Sequence, residues 1–143
     1  MTALSLLAGL VLEDGSRWGA VATEWQLADA RAILDPEPGG PLLHFITRPR
    51  SGSKTSDLAG MATAALIELL PAGGRMYALA ADKDQARLLV DALAGFVART
   101  PGLRDAITVD RYQAATSARG WRSSRRTRRR ATACAARCSS STR

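Results

Sequence analysis

Leu42-Leu43-His44-Phe45-Ile46-Thr47-Arg48-Pro49-Arg50-Ser51-Gly52-Ser53-Lys54-Thr55 is the stretch on which the fold turns. Its first six residues are a short apolar run bounded by turn formers, the pattern of a buried strand. The next eight are small and polar. After them Leu58, Met61, Ala62, Ala65, Leu66 and Leu69 recur at helical spacing, which predicts a helix with those residues on its inner face.

Working outward, the same alternation repeats on the C-terminal side. Pro71-Ala72-Gly73-Gly74 closes the helix, and Met76-Tyr77-Ala78-Leu79-Ala80-Ala81 predicts a second buried strand. Asp82 and Gln85 have the spacing of a capping box. They open a helix with Ala86, Leu89, Val90, Leu93 and Val97 on one face, which Thr100-Pro101-Gly102 ends. Ala106-Ile107-Thr108-Val109 predicts a third strand. On the N-terminal side, Glu24 to Leu34 predicts a short helix, stopped by Asp35-Pro36-Glu37-Pro38-Gly39-Gly40-Pro41. Strands alternating with helices predict right-handed crossovers, hence an α/β domain with a parallel sheet flanked by helices.

In that setting the loop Arg48 to Thr55 acquires a chemistry. A loop running from a buried strand into a helix can aim several backbone N–H groups at one anion, and the helix dipole favours negative charge there. Lys54 then stands where an ammonium reaches the β- and γ-phosphates of a nucleotide, and Thr55 where a hydroxyl holds magnesium. The usual pattern G-x-x-x-x-G-K-[ST] has glycine where this chain has Arg48 and Ser53, and Gly52 supplies part of the missing freedom. The competing reading is a solvated turn, because serine, glycine and lysine are common in surface turns.

The string T-R-P-R-S-G-S-K-T-S-D-L-A-G has W-Q about twenty residues upstream and Y-A-L-A-A-D-K-D-Q-A-R downstream. Together they resemble the ATPase domain of phage terminase large subunits, P-loop motors of the RecA-like (ASCE) type. The resemblance implies an incomplete P-loop NTPase domain over residues 1–116, with ATP and Mg2+ as ligands. It implies that Arg50, four residues before the lysine, contacts the γ-phosphate, where it can act as a cis arginine finger. It implies that Ser51, Gly52, Ser53, Lys54 and Thr55 cradle the phosphates, and that Gln26 beside Trp25 reads the adenine edge. For Trp25 and Gln26, simple packing and simple exposure remain equally open readings. Asp82 and Asp84 read as helix-start residues, and His44 as packed. The family's partners are viral double-stranded DNA, a small terminase subunit and a portal, in the cytoplasm of a bacterial host. A different P-loop NTPase, helicase-like in type, is the nearest alternative.

Charge divides the chain. Met1 to Ala118 carries 11 Lys and Arg against 13 Asp and Glu, net −2, whereas Arg119 to Arg143 carries nine Arg and no acid, net +9. Residues 117–143 hold no aliphatic residue larger than alanine and cannot bury enough apolar area to fold alone, so a disordered basic tail is expected. A nucleic-acid-binding arm, and with it a small basic nucleic-acid-binding protein, is one reading. The other is a frameshift between Ala115 and Gly120. Back-translated from Trp121 and read from each third base, the tail can spell E-V-L-P-A-D-A-A-S-x-Y-G-L-R-x-A-V-[LF]-V-V-D-E, an apolar strand ending in the Asp-Glu pair of a Walker B motif. On that reading Cys134 and Cys138, the two cysteines of the chain, are accidental. With no Walker B acid and no catalytic glutamate in frame, ATP turnover is not expected.

The apolar run Ala3 to Leu12 is not read as a secretion signal, because it lacks a basic start and Glu13, Asp14 and Arg17 follow it before any small-residue cleavage pattern. No run reaches the roughly 20 apolar residues of a membrane span.

Overall fold

The computed structural model of the chain describes residues 2–71, 75–111 and 113–116. The basic tail from residue 117, the two cysteines and Ala72 to Gly74 lie outside the described residues. The elements are α1 (Ala3–Gly9), α2 (Trp18–Val21), α3 (Glu24–Leu34), α4 (Lys54–Glu68), α5 (Lys83–Arg99), α6 (Leu103–Ala106), β1 (Ile107–Asp110) and β2 (Gln113–Thr116).

The apolar N-terminal run becomes α1, started by a Thr2/Ser5 capping box. It plants Leu6, Leu7 and Leu10 in the core. A tight turn follows: Leu12 N–H donates to Ser16 O at 2.8 Å, with Gly15 at φ 83, and Trp18 N–H returns to Leu10 O at 2.8 Å. The end of α5 fastens this segment, since Thr100 Oγ1 accepts from Val11 N–H at 3.0 Å and Arg99 Nε donates to Val11 O at 3.2 Å.

Helix α4 lies between α1 and α5, and its inner face differs from the expected one. The residues it buries are Asp57, Ala59, Gly60, Met61, Thr63 and Ala64, while Leu58 and Leu69 are exposed at 38% and 51%. The helix is apolar on more than one side, so periodicity alone did not say which side meets α1 and α5. The small side chains won because they let those two helices approach. At Gly60 a Cβ would come within 2.9 Å of Leu7 Cδ1. Helix α5 buries Leu93 and Val97 as expected, with Phe96 added between them. Its cap is Asp82, which accepts from Asp84 N–H at 2.7 Å rather than from Gln85.

The sheet is where expectation and structure part. Among the described residues it has two strands, β1 and β2, paired antiparallel with Ile107 opposite Thr116 and Asp110 opposite Gln113. The third expected strand is therefore present, but it belongs to a local hairpin, and among the described residues no parallel sheet is formed. Residues 42–47 and 76–81 run as irregular chain without ladder partners. Leu42, Leu43, Phe45, Tyr77 and Leu79 stand 78–102% exposed. A strand exists only by pairing, and an apolar run that finds no neighbour to pair with keeps its composition without the structure. His44 is half-buried rather than packed away, and Ile46 touches the core.

Candidate functional site

The site is built from the loop 48–53, the first turn of α4, and the two short helices α2 and α3 that lean on them. Pro49 to Gly52 forms a turn, closed by Gly52 N–H donating to Pro49 O at 3.1 Å. Ser51 and Ser53 both take left-handed backbone, at φ 66 and 55, a conformation that non-glycine residues adopt at a cost of about 1–3 kcal/mol. Gly52 is needed for a different reason. A Cβ there would lie 3.0 Å from Pro49 O and 3.2 Å from Arg48 Cβ, so the turn is folded tightly onto its own first residue.

Ser53 is the N-cap of α4 but offers no side-chain cap hydrogen bond, so the first-turn amides of this helix lack the acceptor that Asp82 gives α5. Lys54 begins the helix, and Arg50, Ser51, Ser53, Lys54 and Thr55 are exposed, with Gly52 half-buried. The structure thus gathers these six residues at one loop and one helix start.

Gln26 is brought to the same region, and both ends of its amide are engaged. Its carbonyl accepts from Thr23 N–H and Thr23 Oγ1, each at 2.9 Å, and its amino group donates to Asp57 Oδ2 at 2.9 Å. Trp25 is half exposed and covered by a cation, since the Arg48 guanidinium lies 4.5 Å from its ring centroid.

Beneath the loop lies a polar cluster that sequence reading did not assemble. Asp57 is 2% exposed, and its carboxylate receives Trp18 Nε1 at 2.9 Å, Gln26 Nε2 at 2.9 Å and a charge-assisted bond from Arg48. Arg48 also bonds Asp29 at 2.8 Å. Burial alone works to lower the Arg48 pKa, but the hydrogen bonds and charges of Asp29 and Asp57 outweigh it, and the pKa is raised. Arg48 had registered only as a departure from a glycine pattern. The signal that could have pointed to Asp57 is a carboxylate sharing a helical face with Gly60, Met61 and Ala64.

A cleft of about 530 Å³ adjoins the loop, bordered by Trp18, Gln26, Ser53, Asp57, Gly95 and Arg99. Among the described residues no group of three or more His, Cys, Asp or Glu is placed to hold a metal ion, and no helix is long and apolar enough to cross a membrane.

No protein-family model, curated protein or solved structure matches the chain.

Proposed function

We propose that residues 48–55 form a phosphate-binding loop, and that the chain is the ATP-binding, amino-terminal part of a phage terminase large subunit, the ATP-driven motor of viral DNA packaging. One observation carries the reading. Ser53 stands where the phosphate-loop pattern has glycine, and it holds the left-handed backbone that glycine would supply, directly before Lys54 at the start of a 15-residue helix.

The residues present fit a triphosphate. First-turn amides without a side-chain cap, an exposed ammonium and an exposed hydroxyl are what a phosphate chain and its magnesium ion need at one place. Lys54 would hold the β- and γ-phosphates, Thr55 would give the ion one oxygen, and Arg50 would reach the γ-phosphate. Gln26 keeps one amide hydrogen beyond its bond to Asp57, which an adenine edge would accept.

In the fold that this reading entails, 42–47 and 76–81, irregular chain among the described residues, would pair as strands of a parallel sheet. The exposed side chains of Leu43, Phe45, Tyr77 and Leu79 support it, since an apolar surface of that kind calls for a cover. Double-stranded DNA, a small terminase subunit and a portal would be partners of the whole motor.

The test is binding of a fluorescent ATP analogue with Mg2+ to the full chain and to Lys54→Ala. The wild type, folded by circular dichroism, should bind and the variant should not. A folded wild type that ignores Mg-ATP, or a variant that binds equally, ends the proposal.

A further inference from the structure

Arg48 and Asp57 flank the turn 49–53, one at the first residue of the loop and the other in the first turn of α4, and their side chains meet. Both side chains are almost wholly buried, at 5% and 3% exposed. Asp57 cannot shift without breaking bonds to Trp18 and Gln26 as well, so it is anchored to α2 and α3. Arg48 cannot shift without leaving Asp29 and the Trp25 ring. The turn between them rests on the Arg48 stem through the close approach of Gly52. It also contains two serines in a backbone conformation that persists only when the surroundings enforce it.

We propose that Arg48 and Asp57 are positioning residues for phosphate binding. They form a latch that fixes the span of the loop 49–53, so that its amides are arranged before a triphosphate arrives. The proposal rests on the phosphate-loop reading given above. It turns the departure from the glycine pattern into a device: the loop gains from an inward-facing ion pair the order that it would otherwise acquire only on binding, at the expense of affinity. Arginine suits the task because its planar fork reaches Asp29 and Asp57 at once, with its face on Trp25, whereas a lysine ammonium is a single point of charge.

The experiment uses the full chain and titrates Mg-ATP, inorganic tripolyphosphate and AMP into wild type, Lys54→Ala, Arg48→Lys, Asp57→Asn and the Arg48→Gln/Asp57→Asn double variant, with circular dichroism on each. Arg48→Lys keeps the charge and should stay folded while binding tripolyphosphate about tenfold more weakly. Asp57→Asn should lose at least as much. The double variant, which buries two neutral amides and no lone charge, should recover part of that loss. The loss should be greater for tripolyphosphate than for AMP. Folded Arg48→Lys with wild-type affinity, or equal losses for both phosphates, overturns the latch while leaving the loop reading intact. If Asp57→Asn does not fold, Arg48→Lys decides. If wild type fails to bind, or Lys54→Ala binds as wild type does, the loop reading itself has failed and the latch falls with it.

Discussion

Trp18 Nε1 donates to Asp57 Oδ1 at 2.9 Å, joining residues 39 apart in sequence, and both side chains are at most 4% exposed. The bond ties the N-terminal segment to the first turn of α4, the same turn that begins with Lys54. Stability of the helical core and geometry of the loop therefore share one carboxylate.

Removing that carboxylate should be costly, and mostly for what it leaves behind. Asp57→Ala strands the buried Arg48 guanidinium with only the half-exposed Asp29 as partner, which should destabilise the chain by about 3–5 kcal/mol. Trp18→Phe removes one donor and leaves two on Asp57, so about 1 kcal/mol is expected beyond any packing change. Urea denaturation followed by circular dichroism measures both, and equal effects would contradict the ranking.

Two glycines should respond in opposite ways. A Cβ on Gly19 would meet Ala8 Cβ at 2.7 Å and the Ala8 backbone at 3.0 Å, where α2 crosses α1, so Gly19→Ala should cost about 1–3 kcal/mol. Gly9 ends α1 with open space where its Cβ would be, so Gly9→Ala should stabilise by about 0.4–1 kcal/mol. Thermal melts of the pair test whether the α1–α2 contact is as close as described.

The helices were legible because their signals are local. Glu24 to Leu34 was stopped by the proline-glycine breaker, and α5 was bounded by Asp82 and Thr100-Pro101-Gly102, each acting within a few residues of the boundary it sets. The runs 42–47 and 76–81 were legible as apolar but not as unpaired, because pairing depends on chain far away in sequence. The reading of Lys54 and Thr55 came from their spacing, and that of Arg50 from the resemblance. Their supports were not legible, because the bonds of Arg48 to Asp29, and of Trp18 and Gln26 to Asp57, span 19 to 39 residues and leave no periodic trace.

At the turn after α1, Asp14 accepts from Ser16 Oγ at 2.6 Å and Ser16 N–H at 2.9 Å, and these bonds hold its carboxyl below the usual value of 3.8. A folded-state pKa below the unfolded one means that the contribution is complete above pH 3.8 and is lost as pH falls through the lower folded value. Carboxyl NMR titration should place Asp14 below 3.8, and Ser16→Ala should move it upward. An unchanged midpoint in that variant would rule out the hydroxyl as the main cause.

The exposed run around Leu43 and Phe45 should govern solubility. Both side chains are at least 87% exposed on chain that lacks ladder partners, a combination that favours association between copies. Leu43→Lys with Phe45→Ser should raise the concentration at which the chain stays monomeric in analytical ultracentrifugation, while leaving the helical circular dichroism unchanged. A fall in helicity would mean that these side chains support the core despite their exposure.

Ser53 offers the sharpest separation of stability from binding. Its φ of 55 puts a Cβ-bearing residue in left-handed backbone, so Ser53→Gly removes the strain without removing a cap, because the Ser53 side chain makes no cap hydrogen bond. Glycine also enlarges the unfolded ensemble, which offsets part of the gain, and a net stabilisation of about 0.5–1 kcal/mol is expected. Ser53→Val, β-branched and poorly tolerated at positive φ, should destabilise by more than that. If the loop binds phosphate, glycine at 53 restores the residue that the pattern has before Lys54 and should hold or tighten Mg-ATP affinity, while valine weakens it. Should Ser53→Gly melt below wild type, the left-handed geometry at this position would be wrong, and with it the observation on which the phosphate-loop proposal stands.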